Sequence, residues 1–322
     1  MSPSVLTLIS MTLMTSTLMV MLSHHWLLAW LALELNTLSI LPIIIKHHHP
    51  RATEAATKYF LIQATAAATL LLATTMNAWQ TGQWNILHTT TTSTMTLLTM
   101  AIMLKLGLAP MHLWYPEILQ GTTMLTALLI STWQKIAPLT LLYLTTPSLP
   151  PNIMMLSGLL SALLGGWAGL NQTQTRKIMA FSSIAHMGWL ITTICLNPNL
   201  TTLAFILYTI MTTTMFTALN TNTTNSLTNL NTTWSYSPML LTTTMLTLLA
   251  LGGLPPLTGF MPKWLILKEL TSAGLLMLST VLALASLPSL FFYTRMAYLT
   301  KLTLAPAPTN IKLKGRFKTQ QP

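Results

Sequence analysis

The sequence predicts an all-α, polytopic membrane protein of about ten transmembrane helices, and three observations carry that prediction. Of 322 residues, 52% are hydrophobic and only 6% are charged, against about 25% charged in a soluble domain. Mean hydropathy is +0.60. Apolar runs of about 20 residues, the length that crosses the hydrocarbon core, recur along the chain and stop at polar or proline-containing stretches. So few charges do not clothe a globular surface of this size, and a soluble enzyme is excluded.

In order, the expected spans are about 3–22, 25–45, 57–78, 93–118, 122–145, 151–171, 178–196, 199–219, 238–271 and 274–300. The first begins within three residues of Met1, with no basic n-region and no Arg-rich transit peptide before it. Either this helix directs insertion or the chain is made where it works. The second follows His24-His25, read as an interfacial pair, and ends at the basic stretch His47–Arg51. Asn171–Lys177 and Asn197–Asn199 separate the later spans. Threonine is frequent and lowers hydropathy without forbidding a helix, because its hydroxyl can return to a backbone carbonyl. The whole of 1–322 reads as one membrane domain: a first repeat about 1–145, a second about 151–300, and a basic polar tail 301–322.

The charges are asymmetric: fifteen Lys or Arg stand against four acids, Glu34, Glu54, Glu117 and Glu269, for a net charge of +11. The basic residues are dispersed between apolar runs and concentrate only in the tail, so membrane lipid and topology, not nucleic acid, explain them. With ten alternating spans one face receives Lys46, Arg51, Lys58, Arg176, Lys177, Arg295, Lys301, Lys312, Lys314, Arg316 and Lys318, and the other Lys268 alone. By the positive-inside rule both termini face the positive compartment. Asn222-Thr-Thr and Asn231-Thr-Thr match glycosylation sequons but lie on that same face. Cys195 is the single cysteine; it supports neither a disulfide nor an iron–sulfur cluster. No phosphate loop, dinucleotide fingerprint, metalloprotease motif or nucleophile elbow is present.

Two spans are longer than a bilayer needs and carry helix breakers that match each other. Gly107-Leu108-Ala109-Pro110, continuing to Pro116, aligns with Gly253-Leu254-Pro255-Pro256, continuing to Pro262, at an offset of 146 residues. Leu119 then falls opposite Leu265 and Glu117 opposite Lys263. Five spans per unit invert the second unit relative to the first. Inverted repeats with a broken helix in each half mark ion-coupled transporters, and breakers at membrane depth are tolerated where they line protein or a water cavity.

Inside these spans stand the candidate functional residues. Glu34 is central in Trp30-Leu-Ala-Leu-Glu34-Leu-Asn36, Lys135 is central in Thr132-Trp-Gln-Lys135-Ile-Ala-Pro138, and Lys105 precedes the first break. Lys263 follows the second. A charge at the centre of a membrane helix costs about 2.5–3.5 kcal/mol on insertion scales. The competing reading is a helix-end lysine that snorkels to the interface, and it weighs most for Lys263, whose depth the break obscures. One carboxylate among several lysines suggests a proton relay: low dielectric disfavours an ammonium, a nearby carboxylate favours it, and moving the two relative to each other loads and unloads a proton. His186 and His112 are candidates to extend the relay; each reads equally as a hydrogen-bonded packing histidine. His47-His48-His49 reads as a solvated basic loop and not as a metal tract.

Several motifs resemble a known family. Pro50-Arg-Ala-Thr-Glu54-Ala, Lys58-Tyr-Phe-Leu, Ser131-Thr-Trp-Gln-Lys135, Gly169-Leu-Asn-Gln-Thr-Gln-Thr-Arg176-Lys177-Ile, Ser182-Ser-Ile-Ala-His186-Met-Gly-Trp189 and Gly252-Gly-Leu-Pro-Pro-Leu-Thr-Gly-Phe-Met-Pro-Lys263-Trp closely resemble antiporter-like membrane subunits of vertebrate mitochondrial respiratory complex I, from Met1 to about residue 318. The resemblance implies a subunit of H+-translocating NADH:ubiquinone reductase in the mitochondrial inner membrane, N-terminus in the matrix, with other membrane-arm subunits as partners. It implies that this chain binds no cofactor, and that NADH, FMN, iron–sulfur clusters and ubiquinone belong to those partners. It maps a Glu–Lys pair onto Glu34 and Lys105, a central lysine onto Lys135 and a terminal lysine onto Lys263. It also implies a further hydrophobic helix after Lys312–Lys318, which the sequence to Pro322 does not contain. Two other classes remain open at this point: a free-standing cation/proton antiporter, which the inverted repeat allows equally, and a non-conducting spacer of the membrane arm.

Overall fold

A computed structural model describes residues 2–46, 49–88, 91–222, 224–230 and 238–302. The basic tail beyond residue 302, His47, His48 and the sequon at Asn231 lie outside the described residues. The described chain is helical, with isolated bridges between loops in place of a sheet. In order the helices are α1 (Pro3–Met21), α2 (Trp26–Ile45), α3 (Pro50–Thr81), α4 (Thr92–Leu106), α5 (Trp114–Gly121), α6 (Met124–Ser131), α7 (Ile136–Thr145), α8 (Pro151–Gly169), α9 (Thr175–Ile194), α10 (Pro198–Thr221), α11 (Leu227–Leu230), α12 (Pro238–Gly252), α13 (Phe260–Ser272) and α14 (Leu276–Leu302). A 3-10 turn, Trp133–Lys135, joins α6 to α7.

Among the described residues seven helical units are long and apolar enough to cross a membrane. They coincide with the expected spans 3–22, 25–45, 57–78, 122–145, 151–171, 199–219 and 274–300. The expected span 93–118 is divided into α4 and α5, and 238–271 into α12 and α13, at the anticipated breakers. The expected span 178–196 is α9, which does not reach the hydropathy of the seven. Its environment explains this. From Ile178 to Ile194 every side chain except His186 is buried, so α9 is surrounded by protein and has no need of a lipid-soluble face. It packs most extensively on α8, and the two backbones approach so closely at Gly165 that a Cβ there would lie 2.7 Å from the Ala185 amide nitrogen.

One boundary differs from expectation. α3 begins at Pro50, seven residues earlier than the span read from hydropathy. Proline suits the first turn of a helix, where its missing N–H is not needed, and the His49 ring caps it by accepting from the Arg51 amide at 3.2 Å. Arg51 and Glu54 therefore stand on about two extra turns of helix, not on a loop, with Lys58 on the turn that follows,. At the other end of the bundle the His25 ring stacks on Trp84 with centroids 5.7 Å apart, and two backbone bonds, Trp26 to Trp84 and Ile86 to His24, tie the α1–α2 loop to the segment after α3. α1 is the most peripheral element: Leu8, Met11, Leu18 and Leu22 are exposed, an apolar face suited to lipid or to a neighbouring membrane helix.

Candidate functional site

The two helix breaks open on the same glycine corner. Gly107 closes α4 at φ +71° and Gly253 closes α12 at φ +82°. Gly107 bonds back to Leu104 and Leu108 to Met103; Gly253 bonds to Ala250 and Leu254 to Leu249. These pairs keep the 146-residue offset read from the sequence, as do the starts of α5 at Trp114 and of α13 at Phe260. Positive φ disfavours any residue with a Cβ, which is why glycine occupies both corners. Each break also leaves carbonyls at a helix C-terminus without helical partners, the negative end of that helix's dipole. Lys105 lies in the last turn of α4. Lys263, on α13, reaches back to the end of α12 and donates to the Gly252 carbonyl at 3.0 Å. Both lysines thus sit where a helix end favours a cation.

Glu117, at the position equivalent to Lys263, behaves differently. It points outward and accepts from Lys58 at 2.7 Å, and Lys58 also meets Glu54 at 2.7 Å. All three side chains are exposed. Among the described residues the ion pairs are confined to this trio, so Glu34 and Lys105 are not in direct contact. Glu34 is half-buried and accepts a hydrogen bond from the Thr37 hydroxyl at 3.0 Å. Lys105 is 6% exposed, and its Nζ is buried without a hydrogen-bond partner.

A cavity of about 20 Å³ lies beside Lys105, lined by Thr37, Tyr59, Gln63, Lys105, Gln134 and Lys135 among others. That volume suffices for one water molecule, and the lining supplies the polar partners a water needs. Gln134 donates to the Asn36 side-chain Oδ1 at 3.2 Å, the Tyr59 hydroxyl reaches Gln134 at 3.5 Å, and Gln63 donates to the Lys105 backbone carbonyl at 3.4 Å. The cavity therefore brings Lys105 and Lys135 to one polar space, with Glu34 attached through Thr37.

Lys135 sits at the irregular joint between α6 and α7. In a regular helix its amide would bond to Ser131, but it bonds to Thr132 at 3.3 Å. The freed Ser131 carbonyl is taken by the Tyr208 hydroxyl at 3.1 Å. The Lys135 ammonium donates to Tyr208 at 3.4 Å and to the Ser183 carbonyl at 3.5 Å. It also lies 5.1 Å from the centre of the Tyr115 ring and 5.3 Å from that of Tyr208, within reach of cation–π attraction. At 3% exposure it is enclosed by these groups.

A second cavity of about 20 Å³ opens beyond Tyr208, lined by His186, Trp189, Tyr208, Pro262 and Lys263 among others. The His186 and Tyr208 rings are 5.5 Å apart. His112 is placed elsewhere: its ring meets the Pro110 carbonyl at 3.3 Å inside the first break and borders neither cavity. The structure thus places Lys105 and Lys135 at one cavity and His186 and Lys263 at another, with Tyr208 bonded to Lys135 and lining the second. Sequence reasoning missed Tyr208, Tyr115, Asn36, Gln63 and Gln134. Two glutamines and an asparagine at membrane depth were a usable signal; a tyrosine in Phe205-Ile-Leu-Tyr208 looked like any packing aromatic.

A helical membrane bundle with two matching helix breaks and lysines at membrane depth has the architecture of antiporter-like membrane subunits. Residues 23–288 match the family model described as NADH:quinone oxidoreductase/Mrp antiporter, TM, and residues 290–322 match that described as NADH dehydrogenase subunit 2 C-terminus. NADH-ubiquinone oxidoreductase chain 2 of Carassius auratus is 53% identical over 100% of this chain and 92% of its own length. The Gallus gallus protein of the same name is 52% identical over 99% and 92%. Among solved structures, a chain of respiratory complex I from Thermus thermophilus matches with a TM-score of 0.86 at 26% identity, over 95% of this chain and 74% of that one. A chain of the Mrp complex from Dietzia sp. shares the fold, with a TM-score of 0.85 at 16% identity over 93% and 61%. The chain belongs to the NADH-ubiquinone oxidoreductase chain 2 family, within the wider NADH:quinone oxidoreductase/Mrp antiporter group.

Proposed function

We propose that this chain is a proton-translocating subunit in the membrane arm of respiratory complex I, placed in the mitochondrial inner membrane with both termini in the matrix. Its ten spans form two inverted five-helix repeats, about 1–145 and 151–300. NADH, FMN, iron–sulfur clusters and ubiquinone are held by partner subunits, which drive this chain through conformational or electrostatic change.

The observation that carries this reading is the pair of water-sized cavities, one bordered by Lys105 and Lys135, the other by His186 and Lys263, with Tyr208 between them. A free proton does not cross hydrocarbon; it needs titratable stops joined by hydrogen-bonding groups. Glu34, hydrogen-bonded to Thr37, biases the charge on Lys105 from the edge of the first cavity. Lys135 is the central stop, held by a hydroxyl and a carbonyl that welcome an ammonium without neutralising it. Lys263 is the terminal stop, stabilised as a cation by the end of α12,. Protonating one lysine raises the cost of a charge on the next through a low-dielectric interior. A charge shift at Glu34 therefore propagates along the row as alternating loading and release.

Lys135→Met tests the reading. Methionine keeps most of the side-chain volume and removes the titratable amine. Moving one charge across the membrane costs about 2.3 kcal/mol per 100 mV, so a relay deprived of its central stop should fall behind. In complex reconstituted at matched assembly levels, protons pumped per NADH and the coupled rate should both drop. Wild-type values of both would make Lys135 structural and favour the spacer reading.

A further inference from the structure

We infer that the Tyr208 hydroxyl is the group that passes protons between the Lys135 cavity and the cavity shared by His186 and Lys263, and that the Ser131 carbonyl is the catch that holds it closed. The inference rests on the relay reading above and names the group that joins its two halves.

Three observations converge on this side chain. First, Tyr208 is 2% exposed and joins the two compartments: its oxygen is 3.4 Å from the Nζ of Lys135, which lines the first cavity, and the residue itself lines the second beside His186 and Lys263. Second, its hydroxyl proton is given to the Ser131 carbonyl at 3.1 Å. That acceptor exists only because the chain tightens to a 3-10 turn at Trp133–Lys135, which takes the Lys135 amide away from Ser131. The catch and the central lysine are therefore set by the same irregular turn. Third, a tyrosine hydroxyl can accept and donate at once, which the methionines and isoleucines around it do not do.

The step balances without any co-reactant beyond water. Lys135 Nζ gives a proton to the Tyr208 oxygen, while the O–H bond of Tyr208 breaks toward a water in the second cavity. Tyrosine ends as it began, neutral. Lys135 is left as an amine, and one proton has moved to the side of His186 and Lys263. The step requires the hydroxyl to leave Ser131, so movement of the 3-10 turn, which carries Lys135, opens and closes the path. Lysine charge and hydroxyl direction are thereby coupled in one element.

The test uses the assembled complex in sealed liposomes, with protons translocated per NADH as the readout. Tyr208→Phe keeps the ring and removes the hydroxyl. It should lower the ratio to the level reached by Lys263→Met, and the double variant should go no lower, because both block one route. A further, additive loss in the double variant would mean that Tyr208 acts on packing alone and would overturn the inference. So would a wild-type ratio in Tyr208→Phe alongside a lowered ratio in Lys263→Met, an outcome that leaves the relay standing. Wild-type ratios in both Lys135→Met and Lys263→Met would remove the relay itself. Tyr208→Gln fills most of the space and serves if the phenylalanine variant does not assemble. An amide that takes a proton on oxygen and loses one from nitrogen ends as the imidic acid, so the ratio should also fall to that of Lys263→Met, and a wild-type ratio counts against the hydroxyl.

Discussion

The Tyr208 hydroxyl stands 3.4 Å from the Lys135 ammonium while giving its own proton to the Ser131 carbonyl 3.1 Å away. Residues 77 positions apart in the chain, Ser131 and Tyr208, are joined by this bond, and it is made at the point where a membrane helix departs from regular geometry. A buried backbone carbonyl freed by that departure needs a partner, and the lysine beside it needs polar company. One tyrosine supplies both. Three further consequences can be measured.

The polar wall of the first cavity should matter as much as its lysines. Gln134 and Asn36 bond to each other at 3.2 Å, and Gln134 also meets Tyr59. Gln134→Leu is close in volume but leaves the Asn36 oxygen without its donor, a loss of about 1–3 kcal/mol for a buried group, and it takes one polar partner from a cavity with room for a single water,. The expected result is a lowered coupled rate with NADH oxidation by the detached redox arm unchanged; an unaltered coupled rate would show that no water bridges the two lysines.

Glu117 aligns with Lys263 across the repeat, yet it faces out to Lys58. Glu117→Gln should leave protons pumped per NADH at the wild-type value, with at most a slight loss of thermal stability that high salt erases, since exposed ion pairs are screened. A clear fall in the pumping ratio would place Glu117 in the proton path and contradict the outward geometry.

Gly253→Ala and Gly82→Ala separate backbone strain from displacement of a lysine. Both glycines have positive φ, +82° and +70°, and alanine in that conformation costs roughly 1–2 kcal/mol. A Cβ at Gly82 meets nothing within 4 Å, whereas at Gly253 it would lie 3.0 Å from Lys263 Nζ and 3.1 Å from its Cδ. The two variants should lose comparable stability by thermal melting. The Gly253 variant alone should lose pumping, because Lys263 is pushed off the Gly252 carbonyl. Equal pumping in the two would separate the end of α12 from the function of Lys263.

Much of this molecule could be read from the chain itself. Composition placed it in a membrane, and run lengths located the segments that fold as α1, α2, α8 and α10 to within a few residues. The Gly-Leu-x-Pro repeat located both helix breaks, since glycine and proline act on backbone geometry wherever they occur. The α3 start at Pro50 escaped because hydropathy reports only the apolar part of a helix, while caps and prolines decide where the backbone begins to wind. Identities of the buried lysines were legible for the same local reason: a charge in an apolar run is conspicuous in one dimension.

What each lysine touches was decided only in three dimensions. Glu117 and Lys263 occupy one position of the repeat, and nothing in the order of residues says that one turns out to Lys58 and the other in to Gly252. Glu34 and Lys105 stand near one cavity without a direct ion pair, Lys105 in its wall and Glu34 bonded to Thr37, which also lines it. Tyr208 sits in an unremarkable apolar run and becomes the partner of Lys135 because α10 crosses the joint between α6 and α7. Hydropathy and backbone propensity are properties of a residue and its sequence neighbours, so the sequence alone determined the medium, the segments and the breaks. Contacts between buried polar groups depend on how helices rotate and cross, and that rotation is fixed by packing summed over the whole bundle.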